Sequence, residues 1–154
     1  MKRKLLAVLV AILLVIQVFR PDRNVSAAAA FAGRDDITAL APPPPEVRKI
    51  LEAACYDCHS NHTEYPWYSN VQPVGWWLAQ HVHDGKKQLN FSEFNAYSMK
   101  RKMKKLEDLC DEVREGTMPY KSYGWMHRGA RLSESERSAL CAWSEAVQEQ
   151  LAGK

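Results

Sequence analysis

Apolar residues beyond position 45 recur every three or four positions, and no segment alternates between apolar and polar residues for long. This spacing places apolar side chains on one face of an α-helix, whereas a β-strand needs a period of two. The longest such stripe lies between Ser98, a typical helix N-cap, and Gly116, a typical helix end. It consists of Met99, Met103, Leu106, Cys110 and Val113. The chain is therefore predicted to fold as an all-α domain.

Three other segments combine helical spacing with residues typical of helix ends. The predicted helices cover residues 46–54, Pro73 to about Asp84, and the segment after Ser133. Pro45 and Pro73 suit a first helical turn, and Gly85 is expected to close the second of these helices. Ser133, with Glu136 three residues later, forms a capping box for the last helix.

The size and charge of the chain limit the classes of protein that it can represent. A chain of 154 residues and 17.6 kDa can bury one hydrophobic core. Its formal charge of +3 comes from the first 23 residues, which contain five of the 21 basic residues and one of the 18 acidic residues. The remainder has 16 basic and 17 acidic residues. A nucleic-acid-binding surface needs a basic stripe that neutralises phosphates, so no nucleic-acid partner is expected.

The first 23 residues are typical of a membrane anchor or a secretory signal. Three basic residues, Lys2 to Lys4, precede an apolar run from Leu5 to Phe19. As a helix this run extends roughly 22 Å, less than a ~30 Å hydrocarbon layer. Small residues from Ser26 onwards offer a cleavage site but lie well beyond the apolar run, and charged residues such as Arg20 disfavour cleavage directly after the run. We expect a retained single-pass anchor in the inner membrane with the body in the periplasm; the alternative is a cleaved, periplasmic protein.

Residues 24–45 are predicted to be a linker. The stretch 27–32 is small and apolar, and the four prolines at 42–45 form a stiff spacer. We interpret the segment as a plain tether. It separates the N-terminal segment from a folded domain predicted over residues 46–152.

Two cysteines three positions apart, followed at once by a histidine, form the sequence Cys55-Tyr56-Asp57-Cys58-His59. This is the attachment signature of a c-type haem. Thiols at positions i and i+3 of one turn can each form a thioether with one of the two haem vinyl groups. The histidine that follows can then bind the iron through an imidazole nitrogen. The motif predicts one covalently bound haem c.

Two other chemistries use cysteine pairs of this kind. A thioredoxin-like pair follows a strand and opens a helix, whereas this pair closes a helix in a chain without a predicted sheet. A zinc site would combine Cys55 and Cys58 with two of His62, His81 and His83. Zinc ribbons have a second closely spaced cysteine pair, and Cys110 and Cys141 are far apart. A zinc site therefore remains a less favoured alternative to haem attachment.

The sequence Gly116-Thr117-Met118-Pro119 follows the predicted third helix and offers a second iron ligand. A methionine thioether on a loop can occupy the sixth coordination position, and Met/His ligation raises the reduction potential of a haem. The alternatives are that Met118 belongs to the ordinary core, or that His81 or His83 is the sixth ligand. Met99 and Met103 lie in a helical stripe and are expected in the core.

Short motifs spread over most of the chain match one known family. They are Ile16-Gln17-Val18-Phe19-Arg20-Pro21, Cys55-Tyr56-Asp57-Cys58-His59-Ser60-Asn61, Tyr65-Pro66-Trp67-Tyr68, Gln72-Pro73-Val74-Gly75-Trp76-Trp77, Leu89-Asn90-Phe91-Ser92-Glu93, Gly116-Thr117-Met118-Pro119 and the stretch 127–133. With them the chain resembles the haem-binding domain family, which comprises small bacterial membrane-anchored proteins with one c-type haem. Apart from residues 26–44, the resemblance covers nearly the whole chain.

The resemblance implies haem binding with Cys55 and Cys58 as attachment points, His59 as the proximal ligand and Met118 as the distal ligand. It favours a retained membrane anchor. It implies no particular reaction.

Cys110 and Cys141 lie outside the family pattern. In an oxidising compartment they can bridge the third and last helices. Cys110 belongs to the apolar stripe of its helix, whereas Cys141 lies about 100° from Leu140, towards the edge of its own stripe. The sequence is compatible both with a disulfide between these two cysteines and with two buried free thiols.

Five tryptophans and one basic run have two interpretations each. Trp67, Trp76, Trp77, Trp125 and Trp143 either wall a haem crevice or belong to an ordinary core. Lys100, Arg101, Lys102, Lys104 and Lys105 form either a solvated face or a docking patch for an acidic redox partner or anionic lipid.

Together these features predict a cytochrome-c-like domain that carries one electron at a time. Iron with six ligands has no vacant position for a substrate, so we favour a carrier over an enzyme. A haem sensor or peroxidase-like enzyme is the alternative if Met118 is absent from the iron or displaceable. A zinc-stabilised interaction module is the third possible function.

Overall fold

The computed structural model describes residues 1–26 and 33–153, and within these ranges it contains helices and no β-strand. The α-helices are α1 (Lys2–Ile16), α2 (Ile37–Leu40), α3 (Pro45–Ala54), α4 (Tyr56–His59), α5 (Val74–Gln88), α6 (Met99–Glu115), α7 (Lys121–Met126) and α8 (Glu134–Ala152). Short 3-10 helices cover Trp67–Asn70, Phe91–Ala96 and Arg128–Ala130. The prediction of an all-α fold is confirmed.

Helices α6 and α8 pack along each other and form the centre of the core. Their buried apolar side chains are Leu106, Leu109, Val113, Leu140, Trp143, Val147 and Leu151. Helix α3 also contacts α8 and adds Val47, Ile50 and Leu51. Burial of each large apolar side chain contributes about 1.5–3 kcal/mol, so this three-helix contact is the main source of stability.

The ends of α6 and α8 follow the predicted capping signals. The Ser98 hydroxyl accepts a hydrogen bond from the Arg101 amide, and Gly116 ends α6 with a φ of 73°, in the left-handed region. At the start of α8, the Glu136 carboxylate accepts from the Ser133 amide at 2.7 Å, and the Glu136 amide donates to the Ser133 hydroxyl. Both signals act locally, which is why they can be read from the sequence.

Cys110 and Cys141 form a disulfide between α6 and α8, with their Cα atoms 4.9 Å apart. Cys141, expected at the edge of its apolar stripe, is only 1% exposed. The difference arises because α8 contacts α3 as well as α6, so its buried face is broader than one stripe.

Helix α5 is longer than predicted, and the expectation that Gly85 closes it is wrong. The helix continues to Gln88, and the Leu89 amide still donates to the Gly85 carbonyl at 2.9 Å. It ends where Leu89 adopts an extended conformation with a φ of −147°. The glycine has a packing role inside the helix and no capping role.

The second half of the predicted linker belongs to the folded domain. Asp36 and Ile37 are fully buried, and the Tyr56 hydroxyl donates to Asp36 Oδ1 at 2.9 Å. Asp36 also accepts from the Thr38 amide and so caps α2. The stretch 27–32 lies outside the described residues. Over residues 33–45, therefore, the chain is no plain tether, because a buried carboxylate and an isoleucine hold it on the core.

Helix α1 has no buried residue, and its apolar side chains are exposed from Leu5 to Val15. Among residues 1–26 and 33–153, no helix is both long and apolar enough to cross a membrane.

The residues directly after α1 are bound to the rest of the domain. The Gln17 amide group donates to the Gln72 carbonyl at 3.1 Å and accepts from the Gln72 amide at 2.9 Å. The Trp76 indole donates to the Phe19 carbonyl at 2.6 Å. Asn24 donates to the Ser60 carbonyl at 2.8 Å. These contacts fix the end of α1 beside the start of α5.

Candidate functional site

The cysteine-histidine motif forms a single helical turn directly after α3. Helix α3 ends at Ala54, and the amides of both Cys58 and His59 donate to the Cys55 carbonyl, at 3.2 and 3.0 Å. This turn is α4, and the spacing of three residues places Cys55 and Cys58 on the same side of it. The rigid preceding helix therefore presents two thiols and one imidazole from one turn.

One cavity of about 300 Å³ brings together three of the four predicted site residues. Cys55, His59 and Met118 line it. Its apolar walls come from Ala54, Leu89, Phe91, Leu109, Val113 and Pro119, and its charged residues are Lys105, Asp108 and Glu112. A largely apolar cavity with a few ligating groups is typical of a cofactor site.

His59 is held in a defined orientation inside this cavity. Its Nδ1 lies 2.9 Å from the Leu89 carbonyl oxygen. Because a carbonyl only accepts, Nδ1 carries the proton and Nε2 keeps a free lone pair. Burial lowers the pKa of His59, and the hydrogen bond to Leu89 opposes this only in part. The imidazole is thus neutral and able to bind a metal through Nε2.

Cys58 lies beside the main cavity and does not line it. It borders a second cavity of about 20 Å³ together with Tyr68, Tyr123 and His127. On the other side, α5 approaches it closely, since a Cβ atom on Gly85 would be only 2.7 Å from the Cys58 carbonyl oxygen. Gly85 therefore lets α5 pack against the motif turn.

Replacement of Gly85 by alanine is expected to lower the free energy of unfolding by about 1–2 kcal/mol, as measured by urea unfolding of the haem-loaded protein. Alanine gains up to ~1 kcal/mol in helix propensity. That gain is smaller than the cost of the overlap, because the new methyl group meets rigid backbone of Cys58. Gly129→Ala is the matched control, since its nearest neighbour would be the Ala53 methyl group at 3.9 Å. Equal stability of the two variants would contradict the packing role of Gly85.

Both motif thiols are protonated at neutral pH. Removal from water raises the pKa of Cys55 to about 12, with a smaller contribution from neighbouring Cys58. Burial and the charge of Asp57 raise the pKa of Cys58 to about 11. Thiolates carry out disulfide exchange and bind zinc, so these raised values favour neither the thioredoxin-like nor the zinc interpretation.

Met118 is positioned by the end of α6. After the left-handed Gly116, the amides of Thr117 and Met118 both donate to the Glu112 carbonyl, at 3.1 and 3.2 Å. The loop therefore folds back over the last turn of α6 and directs the half-buried Met118 to the cavity. Met103 packs against the core as expected, whereas Met99 is 49% exposed.

The histidines of the zinc alternative do not join the cysteines. His62 lies beside Ser26, His81 contacts the rings of Trp77 and Tyr120, and His83 is next to Asp84. Across residues 1–26 and 33–153, no three His, Cys, Asp or Glu side chains are grouped so that they could hold a metal ion.

None of the five tryptophans, all of which lie in the described part of the chain, lines the main cavity. Trp143 belongs to the core between α6 and α8, and the other four are at the surface. Of the basic run on α6, Lys105 borders the cavity, and Lys104 pairs with Glu107 and Asp108. The crevice is walled by leucine, valine and phenylalanine.

Sequence reasoning missed the residues that orient the motif. Leu89 contributes its carbonyl oxygen to His59, and a backbone group leaves no signal in the side-chain pattern. Asp57, between the cysteines, accepts from the Tyr123 hydroxyl at 2.7 Å and from the Glu64 amide at 2.9 Å. For the contacts of Asp57, the only signal in the sequence was the presence of an acidic residue inside the motif.

The residues that line the cavity, together with Cys58 beside it, fit a haem. A neutral imidazole and a thioether are iron ligands, thiols on one turn suit two vinyl groups, and the walls are apolar. Comparison with family models matches residues 11–146 to the haem-binding domain family. No curated protein and no solved structure matches the chain. The matched range covers most of the chain and every residue of the candidate site, so the chain belongs to the haem-binding domain family.

Proposed function

We propose that this protein is an exported, membrane-anchored carrier of single electrons with a cytochrome-c-like domain around one covalent haem c. The observation that carries the proposal is the shared cavity, in which Cys55, His59 and Met118 meet between apolar walls. A soft sulfur ligand together with an imidazole suits reversible change between two iron oxidation states.

Four side chains hold the haem in this proposal. Cys55 and Cys58 would hold it through thioether bonds, each formed by addition of the thiol across a vinyl group, and His59 Nε2 and Met118 Sδ would bind its iron. When bound, the haem supplies reversible one-electron chemistry.

The remaining wall residues tune that chemistry. The Leu89 carbonyl holds His59 in one tautomer and strengthens it as a ligand. Phe91, edge-on to the His59 ring at a centroid distance of 6.1 Å, and Val113 exclude water from the same cavity. Exclusion of water favours the iron state of lower charge and so raises the reduction potential.

Two observations support export and anchoring. Disulfides persist in oxidising compartments, and Cys110 is joined to Cys141. The apolar side chains of α1 are exposed, and three basic residues, Lys2 to Lys4, stand at its start. Helix α1 by itself is shorter than a hydrocarbon layer, and snorkelling of Lys4 and Arg20 to the headgroups can cover the difference. We therefore propose that α1 lies in the inner membrane and the haem domain in the periplasm.

Replacement of Met118 by alanine tests the carrier function. The ferric wild-type protein should show the weak far-red absorption band of a methionine sulfur on haem iron, and the variant should lose it. The reduction potential should fall by a sizeable part of the ~0.8 V range over which axial ligands tune haem. Met126→Ala is the control, because this methionine is exposed on α7 and does not line the cavity. Absorption spectra and potentiometry measure both effects.

The opposite result identifies the alternative function. If the ferric wild-type protein is high-spin and its ferrous form binds carbon monoxide rapidly, the iron has an open position. The protein would then be a haem sensor or a peroxidase-like enzyme. An unchanged spectrum and potential in Met118→Ala would remove Met118 as the ligand.

A further inference from the structure

The segment from Tyr65 to Val82 contains no Asp, Glu, Lys or Arg. In a chain in which 25% of residues are charged, such a stretch is unusual unless it is buried. It comprises the 3-10 helix Trp67–Asn70 and the first half of α5, and these two elements contact each other.

Much of this uncharged segment is nevertheless at the surface. Its exposed apolar side chains, which we call the aromatic patch, are Trp67, Val71, Val74, Trp76 and Trp77. Trp67 is 76% exposed and Trp77 is 48% exposed. A group of exposed apolar residues without charges among them marks an interaction surface.

The aromatic patch lies directly beside the end of α1. The Trp76 indole donates to the Phe19 carbonyl, and Gln72, next to Val71, forms two hydrogen bonds with Gln17. The apolar surface of α1 and the aromatic patch are therefore neighbours, so a bilayer that holds α1 comes within reach of the patch.

We propose that the aromatic patch rests on the lipid bilayer at the level of the headgroups, beside the point where α1 enters. This inference depends on the proposed membrane anchoring. Tryptophan is the residue best suited to this zone, because its ring is apolar and its indole N–H can still bond to a polar group. A redox partner, by contrast, is steered by clusters of charge. The five side chains of the patch carry none, and the charge that lies beside them is that of Arg23, which donates to Asn70 Oδ1 and lies over the Tyr65 ring.

The Gln88 side of the haem cavity lies away from the aromatic patch. Helix α5 begins at Val74 in the aromatic patch and ends at Gln88, which lines the cavity. A helix of this length extends roughly 21 Å. Val74 of the patch and Gln88 of the cavity thus lie at opposite ends of α5. Trp77 is nearer to the cavity, because its ring is 4.2 Å from that of His81, which is 5.1 Å from the ring of Tyr120, next to the cavity-lining Pro119.

Photolabelling of the full-length haem protein tests the inference. The protein is reconstituted into vesicles of phosphatidylethanolamine and phosphatidylglycerol that contain a phosphatidylcholine with a diazirine near the headgroup end of its acyl chain. After illumination, mass spectrometry of peptides should find lipid adducts on α1 and on residues 65–82, and none above background on α8. In Trp67→Glu/Trp77→Glu, adducts on residues 65–82 should fall to background while those on α1 remain.

Met99→Glu is the matched control, because Met99 on α6 is 49% exposed and Trp77 is 48% exposed. It should label like the wild type, and the haem spectrum of each variant reports its fold. Lipid adducts on α1 alone would contradict contact between the aromatic patch and the bilayer and would still support α1 as the membrane anchor. Absence of adducts from both would overturn the anchor and the contact together. Cross-links between two copies through the patch, without lipid adducts, would assign it to self-association.

Discussion

Exchange of both Cys55 and Cys58 for serine is expected to yield a protein from which all haem is removed by acidified organic solvent. The wild-type protein should keep its haem under the same treatment, because thioether bonds survive acid whereas the bonds of His59 and Met118 to iron do not. Intact mass and the pyridine haemochrome spectrum, measured on protein made in a host with haem-maturation machinery, report the difference.

The single variants should each lose one thioether and keep the other. Cys55→Ser opens the link at the main cavity, and Cys58→Ser opens the one beside Gly85. Both proteins should retain covalent haem with a haemochrome band shifted to longer wavelength, since one vinyl group is then unreacted. Identical spectra for wild type and either single variant would show that its thiol is not an attachment point.

A control for cysteine loss in general is available in the same chain. Replacement of both Cys110 and Cys141 by alanine should leave the haem fully attached, because neither side chain lines the cavity. A colourless wild-type protein that contains zinc would contradict the whole assignment and support the zinc-stabilised module. Metal analysis of the purified protein distinguishes the two.

The parts of the fold that the sequence predicts well are those with local causes. Ser98 and Gly116 bound α6 because capping and a left-handed C-terminus depend on residues within one turn. The Ser133–Glu136 capping box acts in the same way. The turn of Cys55 and His59 was likewise predictable, because its spacing is set by the geometry of one helical turn.

Features that depend on distant contacts were not predictable from spacing. Gly85 resembles a helix end, yet its lack of a side chain serves the close approach of α5 to Cys58. Asp36 resembles a linker residue, yet it is buried against the Tyr56 hydroxyl. A polar residue in the core is stable only with a hydrogen-bond partner, and that partner lies twenty positions away.

The tryptophans show the same limit. Their number suggested a haem crevice, but local sequence does not say which face of a small domain is covered. In the structure the walls near His59 come from Leu89 and Phe91, and Trp67 is at the surface. The absence of charge from residue 65 to residue 82 was the readable signal, and it pointed to a surface other than the haem cavity.

Removal of the disulfide by the double change Cys110→Ala/Cys141→Ala is expected to lower the free energy of unfolding by about 3–4 kcal/mol. The two cysteines are 31 positions apart, so the bond closes a long loop between α6 and α8 and restricts the unfolded chain. Against a typical total of ~5–15 kcal/mol for a domain, this loss is large. Alanine is preferred to serine because both positions are buried and a hydroxyl there would need a partner.

Urea unfolding of the haem-loaded protein, followed by far-ultraviolet circular dichroism, measures this loss as a lower midpoint. Ser144→Ala is a control for a small buried change on α8, since it removes only the hydrogen bond from the Ser144 hydroxyl to the Leu106 carbonyl at 2.8 Å, worth about 1 kcal/mol. The haem spectrum should stay the same in both variants, because the α6–α8 contact supports the loop of Met118 without touching iron. A loss below that of Ser144→Ala would mean that packing of α6 on α8 already restricts the chain and that the disulfide contributes less than one hydrogen bond to stability.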